Sequence, residues 1–115
     1  MAYDEGLAQR LRDLLVEEPS AAGHEVTEKK MFGGLAFLVG GNMAVAASGQ
    51  GGILVRVDPA ETETLLATTA AFPMEMRGRS MSGWLRVDDA DVATADDLGA
   101  WVARGTTYAA SLPAK

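Results

Sequence analysis

The chain has 115 residues, of which 48% are hydrophobic and 23% charged, with a formal net charge of -6 and a pI near 4.6. That size suits one domain with one core, and no apolar run is long enough to cross a bilayer. The absence of cysteine removes disulfides, thiolate catalysis and cysteine-ligated zinc, while the acidic balance argues against general adhesion to nucleic acid or to an anionic membrane.

The first residues, Met1-Ala2-Tyr3-Asp4-Glu5, have neither the positive n-region nor the apolar h-region of a secretory signal, so the cytoplasm is the expected location. Leu7, Leu11, Leu14 and Leu15 recur at spacings of three and four, which predicts an amphipathic helix over about 4–16, with Asp4 and Glu5 in its first turn and Pro19 ending it. Its polar face carries both signs of charge, which fits a helix packed on a sheet rather than one lying on a membrane. His24 stands alone in a Gly-His-Glu loop and reads as a solvated surface residue; one histidine cannot build a multi-histidine metal site. No metal and no cofactor is expected.

Glu25 to Phe32 reads as a strand. Gly33 and Gly34 then break the pattern before Leu35 to Val39, whose continuous apolar run predicts a strand covered on both faces or lying in the middle of the sheet. The stretch 31–39, MFGGLAFLV, is therefore expected at the centre of that sheet. Its glycines lack both the P-loop lysine and the Gly-x-Gly-x-x-Gly spacing, so a phosphate-loop reading is rejected. Gly40-Gly41-Asn42 tolerates the positive φ of a short hairpin turn, Met43 to Ser48 returns antiparallel, and Gly49-Gln50-Gly51-Gly52 leads into Ile53 to Val57. An antiparallel meander over about 25–57 results.

Asp58-Pro59-Ala60-Glu61 combines an N-cap aspartate, proline at the first helical position and glutamate at the third, which opens a helix near 59–69 with Leu65 and Leu66 turned to the core. Met74 to Arg79 reads as a loop, joined through Ser80 to Gly83 to a strand near 84–87. Thr94-Ala95-Asp96-Asp97 resembles a capping box, and Leu98, Trp101, Val102 and Tyr108 follow at helical spacing. The last helix runs near 95–112, with Trp101 and Tyr108 in the core and either a break or a close packing at Gly105. The order of elements gives a single-domain α+β fold: a mostly antiparallel sheet packed by an N-terminal, a middle and a C-terminal helix.

Chemistry is sparse. The serines have one histidine among them and no nucleophile-elbow sequence, and a doubly wound cofactor fold is incompatible with an antiparallel meander. The candidate binding residues are Arg77, Arg79, Trp84 and Arg86. Arg77 and Arg79 flank Gly78, and two guanidinium forks beside a glycine suit a phosphate or carboxylate. The alternative is that both arginines pair with Glu75 or with Asp88, Asp89 and Asp91. Met74, Met76 and Met81 read as core gap-fillers.

The string Met31-Phe32-Gly33-Gly34-Leu35-Ala36-Phe37, the turn after it with Met43, and Leu54-Val55-Arg56-Val57-Asp58 resemble the N-terminal domain of the TfoX/Sxy family. Met74-Glu75-Met76-Arg77-Gly78-Arg79, Gly83-Trp84, Trp101-Val102 and the ending Tyr108-Ala109-Ala110-Ser111-Leu112-Pro113 resemble its small stand-alone members, so the likeness covers nearly the whole chain. The resemblance implies an α+β domain tied to regulation of DNA-uptake competence. Full-length relatives act as transcriptional co-regulators alongside a DNA-binding activator and carry a second, helical domain, to which nothing after Lys115 corresponds. No catalytic residues come with the resemblance. The expectation is a non-enzymatic regulatory or protein-interaction module with a protein partner. Two other readings stand beside it: an anion or nucleic-acid binder using Arg77, Arg79 and Arg86 with Lys29, Lys30 and Arg56, and a small-molecule enzyme with a pocket lined by Arg77 and Trp84. An open sheet edge also offers a route to a homodimer.

Overall fold

A computed structural model of the chain describes residues 3–31 and 33–115. Asp4 is the N-cap of α1 (Glu5–Glu17): its carboxylate accepts from the N–H groups of Gly6 and Leu7, and Leu7, Ala8, Leu11 and Leu15 form the buried stripe. Pro19 stops the helix and opens a 3-10 turn, Pro19–Ala21, capped by the Glu18 carboxylate. Four strands follow: β1 (Val26–Met31), β2 (Gly34–Val39), β3 (Asn42–Ala47) and β4 (Ile53–Arg56). Gly40 and Gly41 lie at φ 61° and 83°, and Val39 pairs directly with Asn42, as a two-residue hairpin turn requires.

Asp58 caps the Ala60 N–H with Pro59 at the first position, but the opening turn (Pro59–Glu61) is 3-10 before α2 (Thr62–Thr68) begins. Next come β5 (Phe72–Met76) and β6 (Arg79–Val87), then a short 3-10 turn, Asp89–Val92. The Thr94 hydroxyl accepts from the Asp97 N–H and starts α3 (Ala95–Ser111).

All neighbouring strands run antiparallel in the order β1-β2-β3-β4-β6-β5. The α+β class and the meander are as the sequence predicts, with two corrections. The stretch 31–39 is not at the centre, because β6 and β5 add beyond β4 and shift the middle of the sheet to β3 and β4. The segment Met74 to Arg79 is not a loop: Met76 pairs with Arg79, so only Arg77-Gly78 turns between β5 and β6. Pro73 hides β5 in the sequence, since it supplies no N–H to a ladder; an edge strand tolerates it. Position 32, the predicted end of β1, falls outside the described residues.

One main core lies between the sheet and the helices, with Leu11, Phe37, Ile53, Leu85 and Leu98 fully buried. Arg10 ties α1 to the turn before α3 by donating to the Val92 and Ala93 carbonyls at 3.0 and 3.1 Å. The helix α3 is unbroken at Gly105, where close packing is the outcome: a Cβ there would stand 2.4 Å from the Ala44 carbonyl oxygen and 3.2 Å from Val55 Cγ1. Trp101 is buried as expected, whereas Tyr108 is half-buried and not a core residue. The chain's last residues latch onto the β2–β3 turn, the Lys115 N–H donating to the Gly40 carbonyl at 2.8 Å and Asn42 Nδ2 to the Pro113 carbonyl at 3.0 Å.

Two helical glycines are expected to respond with opposite sign. Gly105→Ala drives α3 off the sheet and costs about 1–3 kcal/mol. Gly99→Ala, whose added methyl meets only Leu14 Cδ2 at 3.9 Å, is neutral or stabilises by up to about 1 kcal/mol through helix propensity. Urea denaturation of the two variants checks the difference.

Candidate binding surface

Because side chains alternate across a strand, β2 to β6 present a second face away from the helices. Ala36, Met43, Ala46 and Leu54 form a second buried cluster there, fringed by half-buried Met31, Leu38, Met74 and Trp84, and every member comes from a strand. Register extends the face at both ends. Lys29 lies opposite Ala36, Arg86 opposite Leu54 and Phe72, and Arg56 opposite Trp84.

The two arginines of this face are held by aromatic rings and one amide. The Arg56 guanidinium lies 5.4 Å from the Trp84 ring centre and 5.5 Å from that of Tyr108, which α3 brings to the end of the sheet. Arg86 lies 5.3 Å from the Phe72 ring centre and donates to Gln50 Oε1 at 2.6 Å. Glu25, just before β1, shares the alternation of Thr27 and Lys29 and so lies at one end of this side of the sheet. Among the described residues the one ion pair, Arg12 with Glu28, lies elsewhere.

The four candidate residues therefore divide. Trp84 and Arg86 sit on the face. Arg77 and Arg79 are exposed at and beside the hairpin tip; the extended chain from Arg79 to Arg86 spans on the order of 20 Å. Neither tip arginine pairs with Glu75 or with Asp88, Asp89 or Asp91, so the expected neutralisation does not occur. Arg77 is on the turn, whereas Trp84 lies on the flat of the sheet. Arg77 lies at φ 55°, unusual for a residue that is not glycine, with Gly78 at 79° beside it. Met74 contacts the second cluster, but Met76 is 40% exposed and fills no core gap. Lys29 and Arg56 are grouped with Arg86 in the sequence as cations of a possible anion site but not with Trp84, and Phe72 carries no signal there; the strand register is what joins them.

A separate cleft of about 510 Å³ lies between the end of α1 and β1, with Leu15, Val26 and Phe37 among its apolar lining and His24 at its rim. Two of the most exposed large hydrophobics, Val16 and Val26, line it. Arg12 closes one side by a bidentate bond to Glu28, Nε to Oε2 at 2.5 Å and Nη2 to Oε1 at 2.8 Å. That hydrogen bonding lowers the Glu28 carboxyl from its ordinary value and raises the Arg12 guanidinium from its own, against a smaller opposing effect of burial. No cluster of three or more histidine, aspartate or glutamate side chains able to hold a metal occurs among the described residues, and no described helix is long and apolar enough to cross a membrane.

Fold and surface together define a small α+β domain with one sheet face covered by helices and a second whose buried apolar cluster comes from strands alone. The family model described as the TfoX N-terminal domain matches residues 20–109, and the chain belongs to that family. Comparison with curated proteins and with solved structures gives no significant match.

Two outcomes follow from these geometries. Since Glu28 is depressed in the folded state, its contribution to stability is present above the unfolded carboxyl pKa and lost as pH falls through the folded one. Glu28→Gln should thus lower the denaturation midpoint at neutral pH, with the difference from wild type closing in acid. Arg77→Asn places a residue suited to positive φ before Gly78 and should raise stability by about 1 kcal/mol, measured by thermal or urea unfolding.

Proposed function

We infer that this TfoX N-terminal domain is a non-enzymatic protein-binding module whose docking surface is the helix-free sheet face around Trp84. The observation that carries this reading is the second apolar cluster with its half-buried fringe, to which no described helix contributes a residue. Its chemistry suits a protein. Tryptophan and arginine are enriched among residues that dominate binding energy, and methionines such as Met31 and Met74 adapt to irregular partners. Lys29, Arg56 and Arg86, which form no ion pair among the described residues, favour a partner segment that sets apolar anchors among carboxylates. A place in the regulation of DNA-uptake competence is the finer reading that family membership supports.

A second reading has its own observation: an arginine kept at positive φ on the hairpin tip, beside unpaired Arg79, suits an anion. The few cations and the acidic total weigh against nucleic acid as that anion.

A photo-crosslinking residue placed at Leu38, on the face, and separately at exposed Thr64, on α2, tests the first reading in the host cell. The expected result is a discrete protein adduct from position 38 that is absent from position 64 and is lost when Arg56→Glu and Arg86→Glu are combined. Equal labelling from both positions overturns it. Titration of single-stranded DNA and RNA at two salt concentrations decides the second: binding at low salt that falls steeply with added salt and is lost in Arg77→Ala with Arg79→Ala moves the function to the hairpin tip.

A further inference from the structure

The cleft beside β1 lies at the edge of the sheet, where α1 ends. Leu15, Ala21 and Phe37 are the buried members of its lining; the end of α1 with the turn Pro19–Ala21 makes one wall and β1 the other. Val16, 82% exposed, and Val26, 41% exposed, belong to neither core cluster and leave their methyl groups in water at this concave place. At about 510 Å³ the space falls within the range of sites that take one small organic molecule.

The polar groups with bonding capacity left decide which molecule fits. Every guanidinium nitrogen of Arg12 already donates within the chain, Nε and Nη2 to Glu28 and Nη1 to Gln9, and both Glu28 oxygens are thereby engaged. Glu18 accepts from the Ser20 N–H and hydroxyl through Oε2, which leaves Oε1 without a hydrogen bond among the described residues. Glu17 has neither an ion pair nor a hydrogen bond among them. His24 adds no formal charge at pH 7, so the lining sets one guanidinium against three carboxylates, an excess of two negative charges. The two glutamates also stand where helix carbonyls point outward, Glu17 as the last residue of α1 and Glu18 as its C-cap, and no basic residue occupies that last turn. A helix C-terminus favours cations, so this placement costs the fold stability and a bound cation reverses the cost.

We propose that the cleft binds a small organic cation, an ammonium group on an apolar body, with the body against Leu15, Val16 and Val26 and the ammonium between the Glu17 and Glu18 carboxylates. A carboxylate or phosphate would meet two unpaired carboxylates and an arginine engaged at every nitrogen. An uncharged molecule of the same shape would gain nothing from either glutamate. The site is separate from the sheet face around Trp84 and stands or falls independently of the docking surface there.

Amide NMR titration of the full chain at low salt with phenylbutylamine, phenylbutanol and phenylbutyrate tests this, because the three probes share an apolar body and differ in charge. Phenylbutylamine is expected to bind with a dissociation constant on the order of 1 mM and to shift the amides of Val16, Glu17, Ala21 and Val26. Phenylbutanol should bind several-fold more weakly and phenylbutyrate more weakly still, with the amine's advantage shrinking as salt is added. Glu17→Gln combined with Glu18→Gln, which keeps a side-chain acceptor for the Ser20 N–H, should erase the preference for amine over alcohol and leave the alcohol's affinity unchanged. Val16→Ser combined with Val26→Thr should weaken amine and alcohol alike, by about fivefold; both positions are exposed, and Val16→Ser alone reports the effect if the strand substitution impairs folding. The absence of saturable shifts at these amides, equal affinity for the three probes, or an amine preference that survives the paired glutamine substitutions overturns the proposal.

Discussion

The seat of α3 on β3 and β4 is the constraint from which the remaining geometry follows. At Gly105 the helix backbone comes so near the Ala44 carbonyl that no side chain fits between them, and this approach brings Leu98, Trp101 and Val102 into the same core as Val45 and Val55. Small residues on the strand side permit it, with Ala44 and Ala47 buried beneath the helix. Once α3 is seated, α1 fills the space beside it and Arg10 fastens the two through the turn at Asp89–Val92. One side of the sheet is thereby closed, and any recognition falls to the other side and the edges.

Charge is sorted in the same way. Acidic side chains gather where local structure holds them: Glu5, Glu63, Asp96 and Asp97 in the first turns of helices, Asp4 and Asp58 as caps. On the second face Arg56 and Arg86 are held by Trp84, Tyr108 and Phe72 rather than by carboxylates. An arginine stacked on a ring keeps its donors available and its position defined, which is the condition for a charged partner to gain both attraction and orientation. A domain that is acidic in total can therefore attract an acidic partner over one limited area.

What was legible in the sequence was local. Asp58-Pro59, Thr94 and Gly40-Gly41 each declare a cap or turn through the chemistry of a few adjacent residues, and the structure places all three where they were read. The β5–β6 hairpin was not legible, because Pro73 argues against a strand and Arg77-Gly78 lacks the asparagine that usually announces such a turn. The position of β2 was misjudged for a related reason. Its apolar run reports burial on both faces, which Ala36 and Phe37 satisfy from second place in the sheet. The candidate residues Trp84 and Arg86 were named one by one, but their alignment with Leu54, Arg56 and Phe72 depends on how distant strands meet, and the long β6 is what parts them from Arg77 and Arg79.

The order in which the elements are made bears on how the chain reaches this state. The strands β2, β3 and β4 leave the ribosome well before residues 95–111, so the apolar side of Phe37, Val45 and Val55 has α1 but not α3 to shield it while the second half is synthesised. Over that interval the nascent chain exposes an unfinished core together with an unpaired strand edge, the two features that most readily lead growing chains to stick to one another.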